Sequence, residues 1–271
     1  MTKNRIGICE WVFPVQGPEA LSWAARLGYD GIQIAERGGY EAGYPLLKPE
    51  VQEAYHRVQQ ETGIEIQALH LWNLCRMACM IHPLKSAAGK LALTYIQKAI
   101  DSCKQMKISK LMLTSGFLCQ IKNQKDFDTF SQYLSAACEM AEDVGIQVVF
   151  ESTLTPNEIL EMCRRIKGLK ICYDLFNPFR FALGDPVEEI EKIGLEHIDH
   201  IHTKDGPANM AGCSLLGKGV GRYHDIIALL RKLGYSGWLI TENYYNAPPI
   251  STNMSFNEAA RQDLETMRVF E

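Results

Sequence analysis

Short apolar runs with the reach of β-strands alternate with amphipathic helical patterns eight times along this 271-residue chain, and that count limits the fold more than any other feature. Residues 5–9, 31–35, 64–69, 110–114, 147–150, 169–173, 198–201 and 238–241 read as strands. Helical patterns follow each of them, at 18–27, 49–62, 86–106, 125–144, 156–166, 186–193, 223–233 and 256–269. The strand runs are continuously apolar rather than alternating, as expected where helices cover both faces of a parallel sheet. Gly28, Gly63, Gly145 and Gly234 follow helical patterns, where a residue at positive φ ends a helix. Pro18, Pro49, Pro156 and Pro186 stand near helix starts, where a missing N–H is harmless. Eight such units favour a closed barrel over an open doubly wound sheet. The expectation is an α/β chain forming a single (β/α)8 barrel, with residues 1–271 as one domain.

Composition excludes several functions. A net charge of −4 argues against binding a nucleic-acid backbone, which needs clustered Lys and Arg. No apolar stretch approaches the ~20 residues that span a bilayer, so no membrane role is expected. The N-terminus is basic, but its apolar run is too short for a secretory segment. The nine cysteines are odd in number and scattered from Cys9 to Cys213, which reads as reduced thiols in a soluble cytoplasmic protein. Cys75 and Cys79 have no second pair nearby to make a zinc knuckle. No G-x-G-x-x-G follows the first strand, which weakens a dinucleotide-binding reading.

Glu151, Asp174, His202 and Glu242 stand at or beside the ends of the last four strand runs. Each alone has a plain explanation: a helix N-terminal charge, a cap, a satisfied buried histidine. Together they fall where barrel chemistry collects, at the C-terminal ends of strands. Neighbouring strands are about 4.8 Å apart, so residues at one height on successive strands can converge on one ion. Three carboxylates and one imidazole suit Mn²⁺ first, then Mg²⁺, Co²⁺ or Zn²⁺. His200 and His202 are two apart and share a strand face, so His202 is taken as the ligand and His200 as a deeper supporting or core histidine.

Five segments carry a resemblance. They are Val-Val-Phe-Glu-Ser (148–152), Cys-Tyr-Asp-Leu-Phe-Asn (172–177), His-Ile-His-Thr-Lys-Asp (200–205), Leu-Gly-Lys-Gly (216–219) and Ile-Thr-Glu-Asn (240–243). With Gly-Tyr-Asp-Gly-Ile (28–32), the chain resembles the xylose-isomerase-like TIM barrel superfamily, in its sugar (phosphate) isomerase/epimerase branch that includes ketose 3-epimerases. The resemblance implies a divalent-metal-dependent 3-epimerase for a ketose or ketose phosphate, working through an enediolate. Glu151 and Glu242 would be its acid/base pair, and Asp174 and His202 chiefly metal ligands. It also implies a homo-oligomer, dimer or tetramer. An aldose–ketose isomerase, an inosose or keto-sugar dehydratase, and a non-catalytic sugar-binding barrel are the alternatives. One departure is Asn177, which stands where such epimerases commonly carry a substrate-holding histidine. The related trinuclear-zinc nucleases use more histidines than this chain's pattern supplies.

Further substrate contacts are expected from His70 after strand three, Glu36 after strand two, Asn177 and Trp11, with Phe13 and Trp72 as possible sugar walls. Lys204 is placed near the rim. With Arg180, Lys218 and the backbone N–H groups of residues 217–221, it would meet a phosphate if the substrate carries one.

Overall fold

The computed structural model describes residues 4–36 and 42–269. Its strands are β1 (Arg5–Cys9), β2 (Gly31–Ala35), β3 (Glu65–His70), β4 (Lys110–Thr114), β5 (Gln147–Glu151), β6 (Lys170–Asp174), β7 (Ile198–Thr203) and β8 (Trp238–Thr241). They close into a barrel in the order of the sequence. The helices are α1 (Pro18–Leu27), α2 (Pro49–Thr62), α3 (Trp72–Arg76), α4 (Ala87–Met106), α5 (Gln124–Glu142), α6 (Pro156–Arg165), α7 (Asn177–Phe181), α8 (Pro186–Ile193), α9 (Tyr223–Lys232), α10 (Ile250–Asn253) and α11 (Phe256–Val269). The expected (β/α)8 barrel is what forms.

Local chemistry accounts for the helix ends. Gly28 closes α1 at φ 99°, a conformation that a side chain opposes. Ser86 opens α4 by accepting from Gly89 N, and Asn123 opens α5 by accepting from Asp126 N. Thr155 and Glu158 form a reciprocal capping box at α6, with Pro156 in the first turn.

The chain divides into two compact units, residues 4–33, 57–66 and 173–269, and residues 34–36, 42–56 and 67–172. In the first, β1 pairs in parallel with β2, Gly7 opposite Gly31, and with β8, Gly7 opposite Ile240. A Cβ on Gly31 would stand 2.6 Å from the Trp238 ring, so glycine leaves room for that ring beside β2. In the same unit β7 pairs with β8, His202 opposite Ile240. In the second, β3 pairs with β4, and β4 with β5, Thr114 opposite Glu151.

Two differences from the expectation matter. Glu151 and Asp174 are the last residues of β5 and β6, and β7 runs on to Thr203, so three of the four candidate ligands are held by strand backbone rather than by loops. The short helices α3, α7 and α10 occupy connections that carry no helical periodicity. All nine cysteines are free, and burial raises the Cys75 thiol to about 12. Among the described residues no helix is long and apolar enough to cross a membrane.

Candidate metal centre

In the first unit, Asp174, His202 and Glu242 each offer a donor atom within 4.8 Å of the others. β6 delivers Asp174 in its last position, and the next turn fixes its carboxylate. Oδ1 accepts from Phe176 N at 2.8 Å and from Asn177 N at 3.1 Å, leaving Oδ2 to face the centre. Glu242 follows β8 directly, and its backbone N–H donates to Thr203 O at 2.9 Å. His202 is fully buried, with Nδ1 3.8 Å from Glu242 Oε2 and Nε2 2.8 Å from Gln33 Oε1.

Lys204 is not at the rim, where it was expected. It is 5% exposed, and its Nζ lies 2.5 Å from Asp174 Oδ2 and 2.6 Å from Glu242 Oε2. One ammonium therefore joins the two carboxylates. Lys204 follows the last residue of β7, two residues beyond His202.

The two carboxylates respond differently. For Glu242, burial favours the neutral acid, but the Lys204 ammonium and the Trp11 N–H outweigh it and hold the carboxyl well below the usual carboxylate range. For Asp174, burial dominates the Lys204 attraction, and the nearby Glu242 charge adds to it, so its carboxyl sits above the ordinary range. Glu242 is lowered where Asp174 is raised because it has the additional donors. The indole of Trp11 donates to Glu242 Oε1 at 2.7 Å, so Trp11 enters the centre through its N–H and orients that carboxylate.

The second unit carries Glu151 at the end of β5. The Thr114 hydroxyl on β4 donates to Glu151 Oε2 at 3.2 Å and stands 2.9 Å from His70 Nε2. A hydroxyl that donates to a carboxylate accepts from the imidazole, so His70 Nε2 carries the hydrogen. His70 is 2% exposed and meets Trp72 edge-on at 5.6 Å. Glu36 is buried in this unit, its backbone N–H donating to His70 O at 3.0 Å.

Other expected contacts lie elsewhere. Phe13 packs on Phe256 and Trp23, at centroid distances of 5.0 and 5.8 Å, in a cluster with α11 and α1. Asn177 is buried and begins α7. The N–H groups of Gly217, Gly219 and Gly221 do not form a phosphate cradle. They donate to the Asp205 carboxylate at 2.9, 3.0 and 2.9 Å, joined by Gly206 N at 2.9 Å. Lys218 is exposed, and the exposed Arg180 lies 5.2 Å from the Phe181 ring.

Sequence reasoning missed Gln33. A glutamine central in the apolar run Gly-Ile-Gln-Ile-Ala is an inward polar residue that needs a partner, and that was the available signal.

A closed (β/α)8 barrel with oxygen and imidazole donors at its C-terminal strand ends defines a class of barrel whose donor set fits a divalent cation. The family model described as xylose isomerase-like TIM barrel matches residues 21–269, and the chain belongs to that family. A relative from an Actinoplanes species, named 2-epi-5-epi-valiolone 7-phosphate 2-epimerase, is 27% identical over 231 residues, covering 84% of this chain and 82% of the relative. Among solved structures, D-psicose 3-epimerase from Clostridium cellulolyticum superposes with a TM-score of 0.76 at 16% identity, covering 98% of this chain and 99% of that one. The 3-keto-D-glucoside 4-epimerase of E. coli gives 0.74 at 15% identity, covering 98% and 100%. At such identities the likeness speaks to the fold.

Proposed function

We propose that the protein is a divalent-metal-dependent sugar epimerase that moves a proton on a carbon beside a ketone, with Glu151 and Glu242 as acid and base. The proposed ligands are Glu151, Asp174, His202 and Glu242, with Mn²⁺ as the first choice and Mg²⁺, Co²⁺ and Zn²⁺ after it. The observation that carries the reading is the donor set of Asp174, His202 and Glu242, whose donor atoms lie within 4.8 Å of one another in a barrel of the xylose isomerase-like family. When bound, the cation supplies charge stabilisation for the oxyanion that develops as the carbon loses its proton. The relatives named as epimerases support the reaction class, and the Actinoplanes relative's name supports a ketone in a sugar-like ring. The same reading takes a 3-epimerase as the preferred form and a cytoplasmic dimer or tetramer as the working species.

The chain's own residues divide the work. Trp11 and Lys204 hold Glu242 as a carboxylate of fixed orientation. Thr114 holds Glu151 by one oxygen. One glutamate removes the proton and the other delivers one to the opposite face. His70 acts toward the substrate side through Thr114 and Glu151, and Asn177 offers an amide for a hydroxyl.

Proton NMR in D₂O with a panel of ketoses, ketose phosphates and cyclic ketone analogues tests this, with and without EDTA. EDTA-sensitive deuterium entry at C3 is the expected result. Label at C1 or C2 would mark an isomerase, and loss of water a dehydratase. E151Q and E242Q are each expected to lower kcat by ~10²-fold or more, the scale of positioned acid/base groups. Near-full activity in either variant overturns the pair.

A further inference from the structure

The fully buried side-chain amide of Gln33 sits between two histidines of β7. Its Nε2 is 2.8 Å from His200 Nε2, and its Oε1 is 2.8 Å from His202 Nε2. At the far side of His200, Nδ1 lies 2.8 Å from Asp199 Oδ2. All of these residues belong to one unit, and Gln33, His200 and His202 are each 0% exposed.

Donor and acceptor types close this chain in one direction. A carboxylate only accepts, so His200 Nδ1 carries hydrogen. A neutral His200 then presents a lone pair at Nε2, which needs the NH₂ end of Gln33. That turns Gln33 Oε1 toward His202, so His202 Nε2 carries hydrogen and its Nδ1 keeps the lone pair. Which way an amide points is settled by its network, and a second contact agrees. The Cys9 thiol donates to Gln33 Oε1 at 3.7 Å, from a third direction. His202 Nδ1 is the nitrogen that faces Glu242 Oε2 at 3.8 Å.

We propose that Asp199, His200 and Gln33 form a relay that sets the tautomer of His202, presenting Nδ1 as the metal donor, with Gln33 as the positioning residue. The inference rests on the metal-dependent reading for its ligand, but its tautomers can be observed in the metal-free protein. A metal-bound imidazole is oriented and made more basic by what its other nitrogen donates to. Here a neutral amide takes that part, polarised in turn by a histidine and a carboxylate.

Long-range proton–nitrogen NMR correlation on histidine-labelled, metal-free protein tests the relay. The expected result is His202 as the Nε2–H tautomer and His200 as the Nδ1–H tautomer. His202 protonated at Nδ1, or either ring averaging between tautomers, overturns it. Calorimetry with Mn²⁺ and Zn²⁺ follows. Q33L is expected to weaken binding by ~10–100-fold, the usual effect of losing such a partner. Q33E, which still accepts from His202, is expected to restore binding to within a few-fold. A role confined to packing would not separate Q33E from Q33L in this way, and equal affinities for Q33L and wild type overturn the proposal. Should Q33L fail to fold, D199A provides the same readout, because its loss should set His200 averaging between tautomers, and an unchanged spectrum rejects the relay. Wild-type protein that binds neither ion while showing the expected tautomers would reject the metal reading and leave the hydrogen-bond chain standing.

Discussion

Lys204 would compete with a cation at two of the proposed ligands. Its ammonium and an incoming cation want the same two oxygens, Asp174 Oδ2 and Glu242 Oε2. A buried ammonium between two carboxylates stabilises them against repulsion, and its removal leaves buried charge unpaired. K204M should therefore destabilise the metal-free protein by ~3–5 kcal/mol, on the scale for one lost partner of a buried pair. The same variant should bind Mn²⁺ at least tenfold more tightly, because the metal-free state is raised and a repulsive charge is gone. Urea denaturation in EDTA and calorimetry measure the two effects, and weaker binding by K204M would show that Lys204 helps to hold the cation. The positions of Glu151, Asp174, His202 and Glu242 at or beside strand ends were legible in the sequence because each follows a continuous apolar run. The sequence did not reveal the Lys204 ammonium or the Gln33 amide, because the direction of a long polar side chain is set by partners that are remote in the chain.

Among the elements, the loop from β7 to α9 is organised around a single carboxylate. Asp205 accepts from the N–H groups of Gly206, Gly217, Gly219 and Gly221. Its own N–H donates to Asn243 Oδ1 at 3.0 Å, which ties this loop to the residue after Glu242. The glycines are needed for close approach, since a Cβ on Gly219 would come within 2.2 Å of Asp205 Oδ1. D205N replaces one accepting oxygen by an NH₂ group facing backbone donors. At ~1–3 kcal/mol for each unsatisfied buried donor, a loss of ~3 kcal/mol is expected. Hydrogen exchange at Gly217, Gly219 and Gly221 should accelerate together, and protection equal to wild type would reject the carboxylate as the organiser. The same glycine run read from sequence suggests an anion cradle, which it is, but the anion is internal. Strand and helix patterns were legible throughout because buried parallel strands leave long apolar runs between glycine and proline signals. The one-turn helices α3, α7 and α10 were not, because four or five residues cannot display a period of 3.6.

For the molecule as a whole, folding stability carries a pH signature from a carboxylate well outside the metal donors. Asp263 on α11 accepts from Leu216 N at 2.8 Å, Asn243 Nδ2 at 2.7 Å and the Tyr245 hydroxyl at 2.9 Å. Burial pushes its carboxyl from 3.8 up to about 6, against the lowering effect of those three donors. A raised acid disfavours the ionised form in the folded state, so its stability contribution is full below about 4, falls as pH rises toward 6, and is level above that. Between pH 5 and pH 7 the linkage amounts to roughly 1 kcal/mol lost. Chain-wide titrations would obscure it in the wild type alone, so the measurement is a difference. Urea unfolding of wild type and D263N at pH 5, 6, 7 and 8 should show the wild type losing ~1 kcal/mol relative to the variant by pH 7 and nothing further by pH 8. A difference that is flat from pH 5 upward would mean that Asp263 ionises in the folded protein at its ordinary value, with the three donors fully compensating its burial.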